Sequence, residues 1–384
     1  MKITGIICEY NPLHTGHKKQ LDHIRSVYPD GGIVCLMSGN FVQRGQPAII
    51  DKMHRAEAAV RCGADLVLEL PVTAALSSAE GFAARGVEIL SPFCGALCFG
   101  AENADKEKLL STAQLLLSDA FSLHLRGELD KGKSFPAARQ AALEHMGADA
   151  SLLEMPNNIL AVEYCKAIIK QGSAMEPMPI VRKGSYHDTI ANTADPSATA
   201  VRQLMAGGNN WSAYVPGEAA TCFENAPVHT LAAGEKAILG KLRCMTDEEF
   251  EALPYGSEGL WRKLMHAARK EATLEDIIAA TKSKRYTRTR LDRMILCAFL
   301  GITEETLSSP APYVRVLALN DRGRQMLNMA KESGRFVNIG QRTDEPYQQL
   351  EDRCGALYGL FAKGSTEPAN AEDHRRVHYV RSES

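Results

Sequence analysis

The sequence predicts an α/β protein in which a parallel sheet with a helical insertion is followed by a mainly helical C-terminal part. Within the first 105 residues, four short apolar runs alternate with helical patterns, and this alternation is typical of a parallel sheet covered on both faces. Beyond about residue 231, the spacing of apolar residues is almost entirely helical.

The N-terminal elements can be justified in chain order. The apolar runs that predict strands are "ITGIICEY", "GGIVCLMS", "ADLVLELP" and "ALCFGAE". Helical spacing predicts helices between them, over residues 16–26, in "DKMHRAEAAVRCG" and in "SSAEGFAARGVEILS". Asp51 is the predicted cap of the second helix, and Gly63 is its predicted end. Three helical stretches after Asp105 form the insertion, "MEPMPIVRKG" is a predicted fifth strand, and "DPSATAVRQLM" opens another helix.

These patterns divide the chain into four predicted segments. Residues 1–206 form the sheet-containing unit, and residues 207–230, rich in Gly, Asn, Ser and Pro, form a connector. Residues 231–364 form the mainly helical part, and residues 365–384 form a polar, mobile tail.

Composition excludes several classes of protein. The formal net charge of the 384 residues is −2, so any basic surface for nucleic acid must be local. The ten cysteines form no Cys-x-x-Cys pair and no zinc-ligand spacing, so no protein-bound metal is predicted. No run approaches the roughly 18 apolar residues of a membrane span, and no signal peptide is recognisable. The sequence therefore predicts a protein of the reducing cytoplasm that does not act at a membrane.

The stretch "NPLHTGH" follows the first predicted strand. His14, Thr15, Gly16 and His17 would lie at a helix N-terminus, where free backbone N–H groups suit an anion such as phosphate. Two imidazoles could donate hydrogen bonds to phosphate oxygens while negative charge develops. The alternative is a capped polar turn with two exposed histidines.

Four further stretches follow predicted strands or begin predicted helices, so they belong to the same edge of the sheet. Their polar or glycine residues could contact a nucleotide, whereas the alternatives are an ordinary loop, a strand end or helix capping. These candidates are Asn40, Gln43, Arg44 and Gln46 in one loop, Gly100, Asn157 with Asn158, and Arg182 with Ser197, Thr199 and Arg202. The chain has no Walker-type glycine motif, no Gly-x-Gly-x-x-Gly and no Gly-x-Ser-x-Gly elbow, which disfavours P-loop ATPases, NAD enzymes and serine hydrolases.

Several co-ordered motifs resemble one family. "NPLHTGH" and "PSATAVR" are similar to the two signatures of the nucleotidyltransferase superfamily. "GIICEYNPLHTGH", "SGNFVQRGQPAIIDKMHRAEAAVRCGADLVLELP", "PNNILAVEY" and "ANTADPSATAVR" together resemble the tRNA(Met) cytidine acetate ligase family. The resemblance is strong over residues 1 to about 206, and the C-terminal half resembles the family in layout and in "YTRTRLDRMIL".

The resemblance implies a Rossmann-like nucleotidyltransferase domain and a tRNA-binding helical domain. It implies that ATP and acetate form acetyl-adenylate, from which the wobble cytidine of elongator tRNA(Met) takes the acetyl group to become N4-acetylcytidine. Mg²⁺ would accompany ATP, and no obligate protein partner is implied. His14 and His17 would be catalytic. The implied ATP contacts are Ile7, Cys8, Glu9, Tyr10, Asn11, Pro12, Leu13, His14, Thr15, Gly16, His17, Lys18, Lys19, Gln20, Gly100, Asn157, Arg182, Ser197 and Arg202.

The stretch from Lys282 to Arg293 has six basic residues among twelve. Basic clusters with an aromatic side chain suit RNA phosphates and an unstacked base. The alternative is a solvated helix face. The predicted RNA contacts are Lys282, Lys284, Arg285, Tyr286, Arg288 and Arg290.

Two other functions remain open from the sequence. A small-molecule adenylyltransferase of cofactor synthesis would use the same fold, but it would not need the long C-terminal half with its basic stretch. A non-catalytic RNA-binding factor would not need the two histidines.

Overall fold

A central sheet organises the molecule. The structure is a computed structural model, and it describes residues 1–182, 196–283, 285–330, 332, 335–343, 345–365, 367–368 and 376–381. The strands are β1 (Ile3–Cys8), β2 (Gly32–Ser38), β3 (Phe41–Val42), β4 (Gln46–Pro47), β5 (Leu66–Leu70), β6 (Ala96–Ala101), β7 (Glu176–Val181), β8 (Val314–Leu319), β9 (Phe336–Asn338) and β10 (His378–Tyr379).

Helices surround this sheet and form the C-terminal half. The α-helices are α1 (Thr15–Val27), α2 (Lys52–Arg61), α3 (Val72–Ala75), α4 (Ala79–Leu90), α5 (Lys106–Leu116), α6 (Asp119–Asp130), α7 (Phe135–His145), α8 (Pro156–Lys170), α9 (Ala198–Gly207), α10 (Gly217–Phe223), α11 (Leu231–Cys244), α12 (Asp247–Glu251), α13 (Leu260–Lys270), α14 (Leu274–Thr281), α15 (Arg288–Leu300), α16 (Glu304–Ser308), α17 (Asp321–Met329) and α18 (Pro346–Tyr358). Short 3-10 helices lie at Ala150–Leu153, Ser212–Tyr214 and Gly359–Phe361.

The predicted parallel sheet is confirmed. Strands β5, β2, β1, β6 and β7 lie side by side in that order, and all are parallel. One face packs on α4, α5 and α8, and the other packs on α1, α2, α9 and α10. Asp51 caps α2, as predicted, by accepting the backbone N–H groups of Met53 and His54. Strands β1 and β6 are neighbours although they are distant in sequence, and this creates the crevice in which open α/β sheets bind ligands.

The C-terminal half is not separate from this sheet. Strand β8, within the predicted helical segment 231–364, pairs antiparallel with β5, and β9 and β10 flank β8. Helices α11 to α15 and α18 build a second apolar core, which also takes in Phe41 and Leu76. The antiparallel pairing of β8 joins two distant segments, so local apolar patterns could not reveal it.

Two other predicted segments differ from the sequence analysis. The predicted connector 207–230 contains α10, whose Ala219 and Phe223 are buried in the core beneath α2. The predicted polar tail 365–384 contains β10, which pairs with β8 and therefore is not entirely a tail. Both segments are short and polar in composition, so the packing of their few apolar residues could not be predicted from the sequence.

Candidate active site

A cavity of about 640 Å³ opens beyond the carboxyl ends of β1 and β6. Most of the side chains that the sequence predicts as nucleotide contacts line it: Ile7, Cys8, Glu9, Tyr10, Asn11, His14, Gly16, His17, Lys19, Gln20, Gly100, Asn157, Arg182 and Arg202. Five predicted contacts do not line it, namely Pro12, Leu13, Thr15, Lys18 and Ser197. Pro12 and Leu13 are buried, and Lys18 pairs with Asp22 on the same helix.

The start of α1 fixes both histidines in one tautomer. His14 is the N-cap residue, and its Nδ1 accepts the backbone N–H of Gly16 at 3.1 Å. The Nδ1 atom of His17 accepts the backbone N–H of His14 at 3.3 Å. Since each Nδ1 is an acceptor, each neutral ring carries its proton on Nε2. The capped turn is therefore present, but its histidines are not exposed as that alternative expected, because His14 is buried and His17 is partly buried.

The two imidazole rings are stacked, with 3.7 Å between their centroids. His14 is only 2% exposed, and its Nε2 has no hydrogen-bond partner among the described residues. Burial, followed by the charges of Arg182 and Arg202, lowers the pKa of His14 to about 3. Burial, then His14 and Arg182, lowers the pKa of His17 well below its usual value. Both rings are therefore neutral Nε2–H donors at pH 7.

Two guanidinium groups face the histidines. Arg202, on α9, donates from Nη1 to the carbonyl of Asn11 at 2.7 Å and from Nη2 to Thr199 Oγ1 at 3.0 Å. Ser197 caps α9 by accepting the N–H of Ala200 at 3.0 Å. The N-termini of α1 and α9 thus approach one cavity, and both carry partial positive charge.

Asn157 lies at the start of α8 but does not cap it. The carboxylate of Glu102 caps the helix instead. It accepts the backbone N–H of Asn157 at 3.3 Å and that of Asn158 at 2.8 Å. The side-chain amide of Asn157 donates to Glu102 at 2.6 Å, while its Oδ1 accepts from Arg182 Nη1 at 3.4 Å. Asn157 therefore orients Arg182.

Gly100 lies on β6 beside Arg182. A Cβ at this position would meet the Arg182 side chain at 3.7 Å, which is an ordinary van der Waals contact. Packing within the protein therefore does not demand glycine at this position, and its absence of a side chain leaves the strand backbone open to the cavity.

One buried residue that positions this site, Arg55, was not predicted from the sequence. Arg55, on α2, is fully buried and donates to the carbonyls of Glu9 at 2.6 Å, Ser38 at 3.1 Å and Ile50 at 2.7 Å, and to that of Gly39. It ties the carboxyl end of β1 to that of β2. A lone arginine in a helical pattern is usually exposed, so no signal distinguished this one.

The sequence analysis also missed an aromatic lobe of the cavity. These side chains lie on the α4 and α8 face of the sheet, opposite α1, where apolar patterns predicted only core. They are Phe82, Phe99, Ile159, Leu160 and Tyr164. Gln43 and Arg44, from the loop that the sequence singled out, line the mouth between β3 and β4.

The predicted RNA contacts lie around the start of α15, with Lys284 outside the described residues. Arg285 and Tyr286 both bind Glu258, at 2.8 and 2.7 Å. Arg288 forms a bidentate pair with Glu275, at 2.8 Å for each nitrogen. The remaining described members are Lys282, which is exposed, and Arg290, which donates to the Tyr255 carbonyl and lies 4.8 Å from the Tyr286 ring centre.

No group of three or more His, Cys, Asp or Glu side chains could hold a metal ion within the part of the chain that the structure describes. In the same described ranges, no helix combines the length and apolarity needed to cross a membrane.

Comparison with known proteins agrees with this geometry. The chain matches the HIGH nucleotidyl transferase family over residues 1–373. It is 34% identical to the tRNA(Met) cytidine acetate ligase of Alkaliphilus metalliredigens, over 100% of both chains. It is 37% identical to the enzyme of the same name from Clostridium novyi, over 86% of this chain and 88% of that one.

Solved structures give the same relationship. Apo Thermotoga maritima TmcAL superposes with a TM-score of 0.90 at 30% identity, with all of both chains covered. TmcAL of the same organism bound with alpha-thio ATP gives a TM-score of 0.88 at 29% identity, again over both whole chains. The chain therefore belongs to the HIGH nucleotidyl transferase family, among the tRNA(Met) cytidine acetate ligases.

Proposed function

We propose that this protein uses ATP to activate acetate and transfers the acetyl group to the wobble cytidine of elongator tRNA(Met). The proposal rests on the stacked pair of neutral histidines, His14 and His17, which line one cavity together with Arg182 and Arg202. The names of the full-length relatives support the substrates, and the ATP analogue bound to Thermotoga maritima TmcAL supports the nucleotide.

The first step is attack of an acetate oxygen on the α-phosphorus of ATP, with pyrophosphate as the leaving group. Negative charge grows on the α-phosphate oxygens during this displacement. Donors that are already oriented stabilise such charge without reorganising. His14 and His17 supply two Nε2–H groups, and Arg182 and Arg202 supply positive charge for the remaining phosphates. The product, acetyl-adenylate, carries AMP as a good leaving group.

The other predicted nucleotide contacts are consistent with this arrangement, because most of them lie around the cavity. Residues 7, 8 and 10–13 lead from β1 into α1 around the cavity, whereas the carboxylate of Glu9 would repel the phosphates of ATP and is left out of this set. Gln20 ties α1 to β6 by donating to the Cys98 carbonyl at 3.2 Å. Gly100 gives the ribose or the base access to the β6 backbone, and Ser197 holds the start of α9. Lys19, which is exposed at the cavity rim, adds positive charge near the phosphates.

The described residues that line this cavity do not form a binding site for Mg²⁺. Glu9 is the one carboxylate among the described residues that line it, and Mg²⁺ prefers several oxygen ligands in octahedral geometry. The described lining therefore offers no set of oxygen ligands that would hold Mg²⁺ by itself. The ion would enter with ATP, held by phosphate oxygens and water.

The acceptor RNA would approach from the helical half. Arg285 and Tyr286 meet at Glu258, and Lys282 is exposed; their charge and ring suit RNA phosphates and an unstacked base. The three described arginines already have partners, Glu258 for Arg285, Glu275 for Arg288 and the Tyr255 carbonyl for Arg290, so RNA phosphates would compete with these partners.

The test separates the two half-reactions. Acetate should drive exchange of labelled pyrophosphate into ATP, and labelled acetate should enter an elongator tRNA(Met) transcript when ATP is present. Exchange that depends on a different acid, with no label in tRNA, would contradict the proposal and favour a small-molecule adenylyltransferase.

A further inference from the structure

The side chain of Glu9 stands out within the candidate active site. It is the single acidic group among the described residues that line the cavity, which otherwise presents cationic and imidazole groups. The cationic and imidazole lining residues are His14, His17, Lys19, His23, Arg44, Arg182 and Arg202. A carboxylate repels both ATP and acetate, so neither substrate of the first half-reaction accounts for it.

Glu9 is held firmly, and one of its oxygens is available. Its Oε1 accepts the backbone N–H of Gln43 at 2.9 Å, and its own carbonyl accepts from the buried guanidinium of Arg55 at 2.6 Å. Its Oε2 makes no hydrogen bond to any residue in the described part of the chain. The carboxylate therefore presents a fixed acceptor to the cavity.

Glu9 borders the aromatic lobe. On that face of the sheet, the Phe99 and Tyr164 rings lie 5.3 Å apart, centre to centre. Tyr164 is 3% exposed, and its hydroxyl has no hydrogen bond to a described residue. Burial, then the charges of Cys8 and Glu9, raises the pKa of Tyr164 well above its usual value, so the phenol remains a donor. The lobe thus offers flat apolar surface, one donor and one acceptor.

The same corner is tied to the predicted RNA-binding helix. The carbonyl of Gln43, whose N–H binds Glu9, accepts from Nη1 of Arg293 on α15 at 3.3 Å. Gly45, at φ +73°, lies against the backbone of Arg293, where any Cβ would come within 2.4 Å of its nitrogen. The carboxylate of Glu9, at the border of the aromatic lobe, is therefore linked through Gln43 to α15, from which RNA would arrive. His14 and His17 lie on α1 and its cap, on the opposite face of the sheet.

We propose that the aromatic lobe receives the cytosine ring of the acceptor nucleotide and that Glu9 accepts first a hydrogen bond and then a proton from its exocyclic amine. This assignment rests on the proposed function. Carboxylates pair with the N4 amine of cytosine, and enzymes that modify a base stack the extruded ring between apolar side chains. Uracil has a carbonyl oxygen at the same position, which the carboxylate repels.

Acetyl transfer is a nucleophilic substitution at the acetyl carbon. The N4 lone pair attacks the acetyl carbon of acetyl-adenylate and forms the C–N bond. The bond from that carbon to the phosphate oxygen breaks, and its electron pair leaves with AMP. The proton lost from N4 passes to Oε2 of Glu9 and then to solvent. Glu9 is thus a catalytic residue of the second half-reaction only.

The decisive variant is Glu9→Gln, because the amide oxygen still accepts the Gln43 N–H while the proton acceptor is lost. Acetate-dependent pyrophosphate exchange should stay within about two-fold of wild type. The single-turnover rate of acetyl transfer from preformed acetyl-adenylate to the tRNA(Met) transcript should fall about 100-fold or more, as for other general bases. Glu57→Gln, which removes an acidic charge from the surface of α2, should change neither rate.

A second variant, Tyr164→Phe, tests the lobe without touching Glu9. It should raise the KM for tRNA several-fold and leave the KM for ATP unchanged, and a transcript with uridine at the wobble position should not compete with the cytidine transcript.

Unchanged acetyl transfer in Glu9→Gln would overturn the assignment. An equal loss of exchange and transfer in that variant would also overturn it, because the carboxylate would then act in adenylation or in binding Mg²⁺. So would a raised KM for ATP in Tyr164→Phe. Absence of acetate-dependent exchange in the wild-type protein would instead reject the proposed function itself.

Discussion

At the scale of single residues, the two nitrogens of His14 do different work. Nδ1 caps α1, whereas Nε2 is buried beside the cavity without a described partner. Asparagine places an acceptor near the Nδ1 position, and glutamine places a donor near the Nε2 position. This pair of substitutions can therefore separate the structural role of the ring from its catalytic role.

We expect His14→Asn to keep the cap and to lose the donor. Its rate of acetate-dependent pyrophosphate exchange should fall about 100- to 1000-fold, the usual effect of removing one donor from a site of developing negative charge, with a change of only a few degrees in Tm. His14→Gln should retain more activity and lose more stability. If His14→Asn were as active as wild type, the imidazole would have only a structural role.

The lowered pKa of His14 also makes a prediction about pH. In the unfolded chain this ring takes up a proton near pH 6.5, whereas in the folded protein it does so only near pH 3. The free energy of unfolding should therefore fall as the pH drops through this window, because the unfolded state binds the extra proton.

The measurement is denaturant unfolding at several pH values between 4 and 7.5, for wild type and for His14→Asn. The slope of stability against pH should be smaller in the variant by up to one proton, or about 1.4 kcal/mol per pH unit. Equal slopes would show that His14 titrates normally in the folded protein.

At the scale of elements, sequence patterns predicted the strands and helix caps that depend only on neighbouring residues. The apolar runs of β1, β2, β5 and β6 and the Asp51 cap of α2 were predictable because each depends on neighbouring residues. The pairing of β8 with β5 and the packing of α10 were not, because contacts between distant segments decide them. The same holds for the site: His14 and Arg202 lie in recognisable motifs, whereas Tyr164 reads as a core residue of α8.

The loop between β3 and β4 is the element that joins the cavity mouth to α15. Gly45 has φ +73° and almost touches the backbone of Arg293, whereas Gly132 has φ +79° and open space around it. Gly132→Ala should cost about 1 kcal/mol for the left-handed conformation alone. Gly45→Ala should cost about 1–3 kcal/mol more, because its methyl group collides with backbone.

The measurement is the free energy of unfolding of both variants, together with acetyl transfer to tRNA. Gly45→Ala should also slow transfer more than exchange, since it displaces Gln43 and hence Glu9. Equal stability of the two variants would contradict the close contact between this loop and α15.

At the scale of the whole molecule, a buried ionic network joins the sheet to the C-terminal half. Arg315, on β8, donates to Glu69 at 2.7 Å and to Glu351 at 3.1 Å, and Lys52 lies 3.3 Å from Glu69. These residues come from four different elements, α2, β5, β8 and α18. The network closes only when both halves of the chain have folded together.

Arg315→Leu should therefore lower the free energy of unfolding by about 3–5 kcal/mol, because it removes the buried cation that Glu69 and Glu351 share and leaves Lys52 as the cation beside Glu69. The protein should still unfold in one transition, since β8 belongs to the sheet. Arg324→Leu, which breaks the exposed pair with Asp321, should cost less than about 1 kcal/mol. Two separate transitions in calorimetry would instead show that the halves fold independently.

Charge distribution over the whole molecule determines how RNA can dock. With a net charge of −2, the protein attracts RNA only through local basic surface, and acidic partners already neutralise part of the stretch from Lys282 to Arg293. On the proposed function, RNA that docks on Arg285 must compete with Glu258, which would make binding sensitive to salt.

The double variant Lys282→Ala with Arg285→Ala should raise the KM for the tRNA(Met) transcript about tenfold and leave acetate-dependent exchange unchanged. Each lost phosphate contact should also reduce the slope of log affinity against log salt by nearly one. Arg269→Ala is a matched control, because Arg269 is an exposed arginine paired with Asp247 on the same helical half, and it should change neither quantity. If the double variant had the same tRNA affinity and the same salt slope as wild type, RNA would dock on another face. The link from α15 through Gln43 to Glu9 would then not be the route by which the cytidine reaches the cavity.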